Sequence, residues 1–260
     1  MFTVAIESDY AVGNVYGLVN PACVRDEYKE TARILFEWRE QRIREIGRVD
    51  MVIQLGETTD GPGHKSTIEH YTTDLEAQAE DAADLLCMWP CDDFRLCFGS
   101  RYHKGGDSRS ERMVVDQVKL RHNKRADIKD TQRIEISGVK INARHHVGSS
   151  STPQGKASQL AKVATTDYLR GAYRNYPGAD IYLRAHTHEY TVAGNDMYMA
   201  YNNPAMQWPL GEYGLNIDRV WYTMGLMKLT IQDDGEWTMK PYILRVKLPE
   251  ETYAIVTASD

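Results

Sequence analysis

Four of the chain's eight histidines fall into two tight pairs, His145-His146 and His186-Thr187-His188. Residues i and i+2 of an extended segment project to the same side, so His186 and His188 can bring both rings to one small site. Asp9, Glu57, Asp60 and His103 stand in the same kind of place, just after a short apolar run. Imidazole mixed with carboxylate suits Mn, Fe or Zn, and there are donors enough for two adjacent ions. The competing reading is a set of unconnected polar loop residues. Serine or cysteine hydrolase chemistry fits poorly: there is no Gly-x-Ser-x-Gly elbow, and no cysteine stands beside a histidine.

The apolar pattern supplies elements that would carry these residues. Phe2–Ile6 reads as a buried strand closed by Glu7-Ser8-Asp9, Val49–Leu55 as a second, and Phe94–Phe98 as a third. Between them, Arg25–Ile46 and Ile68–Trp89 read as helices. Ser110–Leu120 and Lys156–Tyr173 are predicted helical, Arg133–Ile136 and Val139–Ala143 form a hairpin around Ser137-Gly138, and Ile181–Leu183 is a short strand. From Tyr190 onward the chain reads as all-β, with Asp233-Asp234-Gly235 turning between Met227–Ile231 and Trp237–Val246. Polar residues recur after each strand's last residue, where an open α/β sheet binds its ligands. A single domain over residues 1–260, built on two sheets, is the simplest account.

In this order the motifs resemble the calcineurin-like metallophosphoesterase family. That family's pattern runs Asp-x-His, Gly-Asp-x-x-Asp, Gly-Asn-His, a lone His and Gly-His-x-His, each after a strand. The matching stretches are Ser8-Asp9-Tyr10-Ala11, Gly56-Glu57-Thr58-Thr59-Asp60, Gly99 to His103, Arg144-His145-His146 and Ala185-His186-Thr187-His188. Asp60-Gly61 with His64, Tyr102-His103, His145 to Gly148 and Asn203-Pro204-Ala205 with Gln207 look like a branch common in phage genomes. The resemblance implies a four-layer α/β/β/α sandwich with the metals at the top edge of its sheets. It implies Glu57 as a bridging carboxylate, His186 on one metal, and His188 with Asp9 on the other. His145 would complete the first metal's set, with His146 as the alternative, since a one-residue slip exchanges the ring that faces in. His103 would act at the leaving group; separately, Arg101 and Lys104 of the basic segment beside it are candidates to contact substrate phosphate. The metals, one or two ions with Mn favoured, would polarise the phosphate and lower the pKa of the attacking water.

The chain also departs from that pattern. Ala11 stands where the family has a histidine, Glu57 replaces an aspartate, Ser100 is nearest to the missing asparagine, and Ala185 replaces a glycine. Weak or single metal occupancy is therefore expected, or an outside ligand, for which Asp60, His64 and Ser100 are the candidates. The activity implied is hydrolysis of phosphodiesters, nucleic acid among them, or of phosphomonoesters. The alternative is a fold kept for binding or assembly after loss of the chemistry.

A net charge of −6 argues against a general nucleic-acid coat, yet Arg101 to Arg125 is locally basic. That segment reads either as a groove for a phosphodiester backbone or as a solvated helix face. Tyr102, Trp208, Tyr213 and Trp221 are aromatic candidates for stacking on bases or, more simply, for the core. Cys23, Cys87, Cys91 and Cys97 fit no zinc ribbon and read as buried free thiols. With no apolar run of about 18 residues and no basic leader, the expectation is no membrane and a cytoplasmic location, the host's cytoplasm if the chain is phage-encoded. The oligomeric state is not readable from the sequence.

Overall fold

The computed structural model describes residues 1–61, 69–100, 108–148, 150, 152–174, 178–210 and 222–246. Its first half repeats one unit three times. Strands β1 (Phe2–Glu7), β2 (Met51–Gln54), β3 (Asp93–Cys97) and β4 (Arg125–Lys129) are parallel neighbours. Helices α1 (Asp26–Ile46), α2 (Leu75–Leu86) and α3 (Arg109–His122) connect them in turn. Each connection steps one strand in the same direction, and right-handed crossovers then put all three helices on one face. The other face is left for a second sheet.

Strand parity shows how both faces are used. Ala5, Val52 and Phe94 pack under the helices with Leu35, Ala82 and Val114. Val4, Ile6, Met51 and Ile53 point the opposite way and share a core with Ile141, Ile181 and Leu183 of the second sheet. That sheet runs β5 (Gln132–Ile136), β6 (Val139–Ala143), β7 (Ile181–Arg184), β9 (Met199–Asn202), β8 (Thr191–Gly194). Its outer face, at Tyr182 and Ala200, is covered by Leu160 and Ala164 of α4 (Pro153–Arg174). Strands β10 (Met224–Ile231) and β11 (Trp237–Leu244) finish the first sheet antiparallel beside β1. The layers are therefore α/β/β/α, as the resemblance implied.

Glu7 lies on the helix side of β1, where a lone carboxylate would be expensive. Arg39, buried on the inner face of α1, places Nε 2.9 Å from Oε1 and Nη2 3.0 Å from Oε2. Trp89 Nε1 donates to the same carboxylate at 2.9 Å, and Tyr10 donates its hydroxyl. This buried network fixes the end of β1, two residues before Asp9.

Three features differ from the sequence reading. The second helix begins at Leu75 and not Ile68, because Asp74 caps it by accepting from Glu76 N at 2.9 Å. His70 is instead bridged to Asn14, and Tyr71 N donates to Gly13 O. Strand β4 was hidden by its charges, which suit the edge strand it forms. Cys23 is exposed, unlike Cys91 and Cys97, so the four thiols do not share an apolar setting. Among the described residues, no helix is long and apolar enough to cross a membrane.

Candidate metal centre

The ends of β1, β2, β6 and β7 converge on one edge, and backbone hydrogen bonds set the register between them. Asp9 N donates to Gly56 O at 3.0 Å and Ala11 N to Glu57 O at 2.9 Å, tying the first loop to the second. Ala185 N donates to His145 O at 2.9 Å, tying the loops of the second sheet. His145 Nδ1, 2.7 Å from Leu55 O, joins the two pairs.

The loops are held in unusual conformations. Asp9, Ala11, Glu57, His186 and His188 all have positive φ, between 46° and 77°. Left-handed backbone is costly for residues other than glycine and persists only where surroundings enforce it. Five of the eight non-glycine residues with positive φ among the described residues lie on this edge, which makes it the candidate site. Close approach is the second constraint. A Cβ on Gly99 would lie 2.6 Å from Glu57 N and 2.8 Å from Glu57 Cγ, and one on Gly56 would lie 2.9 Å from His145 Cβ. The Cγ methylene of Glu57 thus occupies the space over Gly99.

The donor atoms form two groups. Glu57, His145 and His186 make one, and Asp9, Glu57 and His188 the other; within each, the ligand atoms lie within 4.8 Å of one another. Glu57 belongs to both. Its Oε1 is 3.1 Å from His145 Nε2 and 3.7 Å from His186 Nδ1, and its Oε2 is 3.9 Å from His188 Nε2. His188 Nε2 is also 3.2 Å from Asp9 Oδ1.

Hydrogen bonds choose which nitrogen of each ring faces in. A carbonyl only accepts, so His145 must carry its proton on Nδ1 to bond Leu55 O, which leaves the Nε2 lone pair for the site. His188 Nδ1 is likewise engaged outside the site, 3.1 Å from Tyr222 Oη.

These residues fit a cation. Both oxygens of Asp9 are buried and make no hydrogen bond among the described residues. A buried carboxylate without donors is costly, and a metal ion removes that cost. His145 reports the same field: burial disfavours its charge, but Glu57 and then Asp9 outweigh it and raise the pKa to about 9. A proton on His145 therefore does part of what a cation would do.

The remaining candidates are distributed differently. His146 is exposed and belongs to neither group; its ring lies 4.9 Å from that of His186, and burial followed by the neighbouring His186 lowers its pKa. Asp60 is paired with His70, Nε2 to Oδ2 at 2.6 Å, and joins neither group. Ser100 follows Gly99 after β3. His64, Arg101, His103 and Lys104 lie outside the described residues, as do Tyr102, Tyr213 and Trp221. Trp208 is a core residue whose Nε1 donates to Thr31 O at 3.0 Å, so it is no stacking platform. In the basic segment, Arg121 and His122 face Glu80 and Asp84 of α2, while Lys124 pairs with Asp92. That end of the segment is occupied by the chain's own acids, which weakens the groove reading.

Sequence reasoning missed two residues. Glu111, apparently a diluting acid in a basic stretch, is fully buried and accepts from Gly99 N at 2.9 Å and Thr58 N at 3.4 Å. Burial raises its pKa. From α3 it pins the loops flanking Glu57. Tyr222 is the other; nothing in its local sequence marks it as a partner of His188.

No protein-family model matches the chain, and no curated protein matches it. Solved structures do align along most of its length. A single mutant of Vps29 from Entamoeba histolytica is 16% identical, covers 94% of this chain and 100% of its own, and has a TM-score of 0.46. A structure described as a novel archaeal phosphodiesterase is 13% identical, covers 93% and 100%, and scores 0.47. A predicted phosphoesterase from Streptococcus pneumoniae is 13% identical, covers 94% and 98%, and scores 0.37. Similarity at this level leaves the chemistry of the site to be read from its own residues.

Proposed function

We propose that this chain is a divalent-metal-dependent phosphoesterase of the calcineurin-like type, acting on phosphodiesters, nucleic acid among them, or on phosphomonoesters. The observation that carries the reading is Glu57, shared by two donor groups beside an Asp9 carboxylate with no hydrogen bond of its own among the described residues. Bound divalent ions, Mn favoured, would polarise a phosphate and lower the pKa of water. The chain's residues do the rest. Glu57 spans both groups, Asp9 and His188 complete one, and His145 and His186 complete the other. His186 is the open side of the site, its side chain 29% exposed against 1% for His145, so substrate approaches there. By the motif order His103 would serve the leaving group, and the basic stretch beside it offers Arg101 and Lys104 to the phosphate. A general acid in that position is worth about 10²-fold or more in rate.

The test is metal stoichiometry on protein purified without chelator and re-equilibrated with Mn²⁺, followed by turnover of a model diester and a model monoester. Because each donor group keeps three candidate ligands, two ions and turnover are expected in place of the weak or single occupancy that the missing motif residues suggested, with His103→Ala slowing turnover about 10²-fold and leaving binding unchanged. No bound ion would favour the second reading, a fold retained for binding. The specific observation behind that reading is Ala11, a buried methyl group where the family places a metal-binding histidine.

A further inference from the structure

Two of the three histidines in the donor groups are oriented by different means. His145 is fixed by a backbone carbonyl, which no side-chain change removes. His188 depends on a hydroxyl. Tyr222 Oη lies 2.6 Å from Gln207 O, and because that carbonyl only accepts, Tyr222 must donate its single proton there. Towards His188 it is then an acceptor, and the 3.1 Å contact requires a proton on His188 Nδ1. The neutral ring is left with its lone pair on Nε2, facing Asp9 Oδ1 at 3.2 Å and Glu57 Oε2 at 3.9 Å. A lone pair directed at two carboxylates is unfavourable until a cation stands between them.

The surrounding backbone holds this arrangement. Thr223 N donates to His188 O at 3.0 Å, Ala205 N donates to Thr223 O at 2.9 Å, and the Tyr222 ring meets the His188 ring edge-on with centroids 5.4 Å apart. His188 itself is at φ 52°, a conformation that needs such enforcement.

We propose that Tyr222 is a positioning residue that sets the tautomer of His188 and so the affinity of the Asp9–Glu57–His188 group for its ion, leaving the Glu57–His145–His186 group alone. The inference rests on the metallocentre reading above. Without the hydroxyl, Nδ1 loses this contact, and the balance shifts to a proton on Nε2, which faces Asp9 Oδ1. The ion must then displace a proton and a hydrogen bond. Loss of an orienting partner behind a ligating histidine typically costs about 10- to 100-fold in metal affinity.

The experiment compares the full-length wild type with Tyr222→Phe. In metal-free protein, ¹⁵N NMR of the histidine rings gives the tautomer of neutral His188; Nδ1–H is expected in wild type and Nε2–H in the variant. Mn²⁺ binding, followed by electron paramagnetic resonance, should show two steps in wild type. In Tyr222→Phe one step weakens about 10- to 100-fold and the other is unchanged. The weakened step should be the one that Asp9→Asn abolishes. An Nε2–H tautomer in wild-type His188 overturns the proposal, as do two unchanged binding steps in Tyr222→Phe. A wild type that takes up no Mn²⁺ refutes the metallocentre reading instead, and the tautomer measurement still decides the role of Tyr222. That wild-type measurement also decides it if the variant does not fold.

Discussion

Replacing Glu57 by glutamine keeps its shape, removes its charge and touches both donor groups at once. At 3.1 Å, the attraction between its carboxylate and a protonated His145 is about 5 kcal/mol for an effective dielectric of roughly 20. Burial opposes it. The net result, a His145 pKa raised from 6.5 to about 9, corresponds to roughly 3 kcal/mol in favour of the imidazolium. A folded-state pKa above the unfolded one contributes stability that is fully present below pH 6.5 and lost as the pH rises through about 9. In metal-free protein Glu57→Gln should therefore lose on the order of 3 kcal/mol at pH 6, about 5–10 °C in Tm for a chain of this size. Above pH 9 the gap should close. Urea unfolding in chelator at the two pH values measures this. The same variant, titrated with Mn²⁺, should bind at neither group, whereas Asp9→Asn should lose one ion. An equal stability loss at both pH values, or one tight ion retained in Glu57→Gln, would refute the reasoning.

His145→Ala should weaken Mn²⁺ binding at one step, while His146→Ala leaves both steps in place, because only the first ring belongs to a donor group; calorimetry separates the two. Below pH 9, Mn²⁺ binding should release a proton from His145 and tighten as the pH rises, visible as heats that depend on the buffer's ionisation enthalpy. Glu111→Ala leaves Gly99 N–H and Thr58 N–H without their buried acceptor and should cost about 2–4 kcal/mol in urea unfolding. Arg39→Met strands the Glu7 carboxylate under the helices at a cost of about 3–5 kcal/mol, and adding Glu7→Gln should recover part of it.

What the sequence makes legible here is whatever repeats along the chain. Apolar runs closed by a polar residue locate β1, β2, β3, β6 and β7 to within a few residues, since parity and burial act locally. The resemblance, in turn, named Asp9, Glu57, His145, His186 and His188, all of which the fold brings to one edge. Partnerships are less legible. Tyr222 is separated from His188 by 34 positions, and its role depends on a proton committed to Gln207 O. Glu111 looks like one charge among many until the packing of α3 buries it beside Gly99. Asp60 seemed free to ligate a metal, but His70, from a stretch that the apolar pattern placed close to a helix start, pairs with it. Strand β4 was obscured because an edge strand tolerates charges that a central strand would not.

The departures at Ala11 and Ser100 bear on how many atoms hold an ion more than on whether the site calls for one. Set against the pattern that the motifs resemble, each lacks a neutral donor, an imidazole or an amide, and leaves the charge in place. Asp9 and Glu57 stay buried at 0% and 3% exposure, with fully buried Glu111 behind them. In the metal-free chain, a proton on His145 supplies part of the compensating charge, as its elevated pKa expresses. A fold kept only as a scaffold would be more stable with apolar residues in these places, because buried charges give back little of what desolvation costs. It would also have no use for left-handed backbone at Asp9, Glu57, His186 and His188. Closely spaced buried carboxylates, strained loops and ring nitrogens turned inward together describe a site that suits a cation.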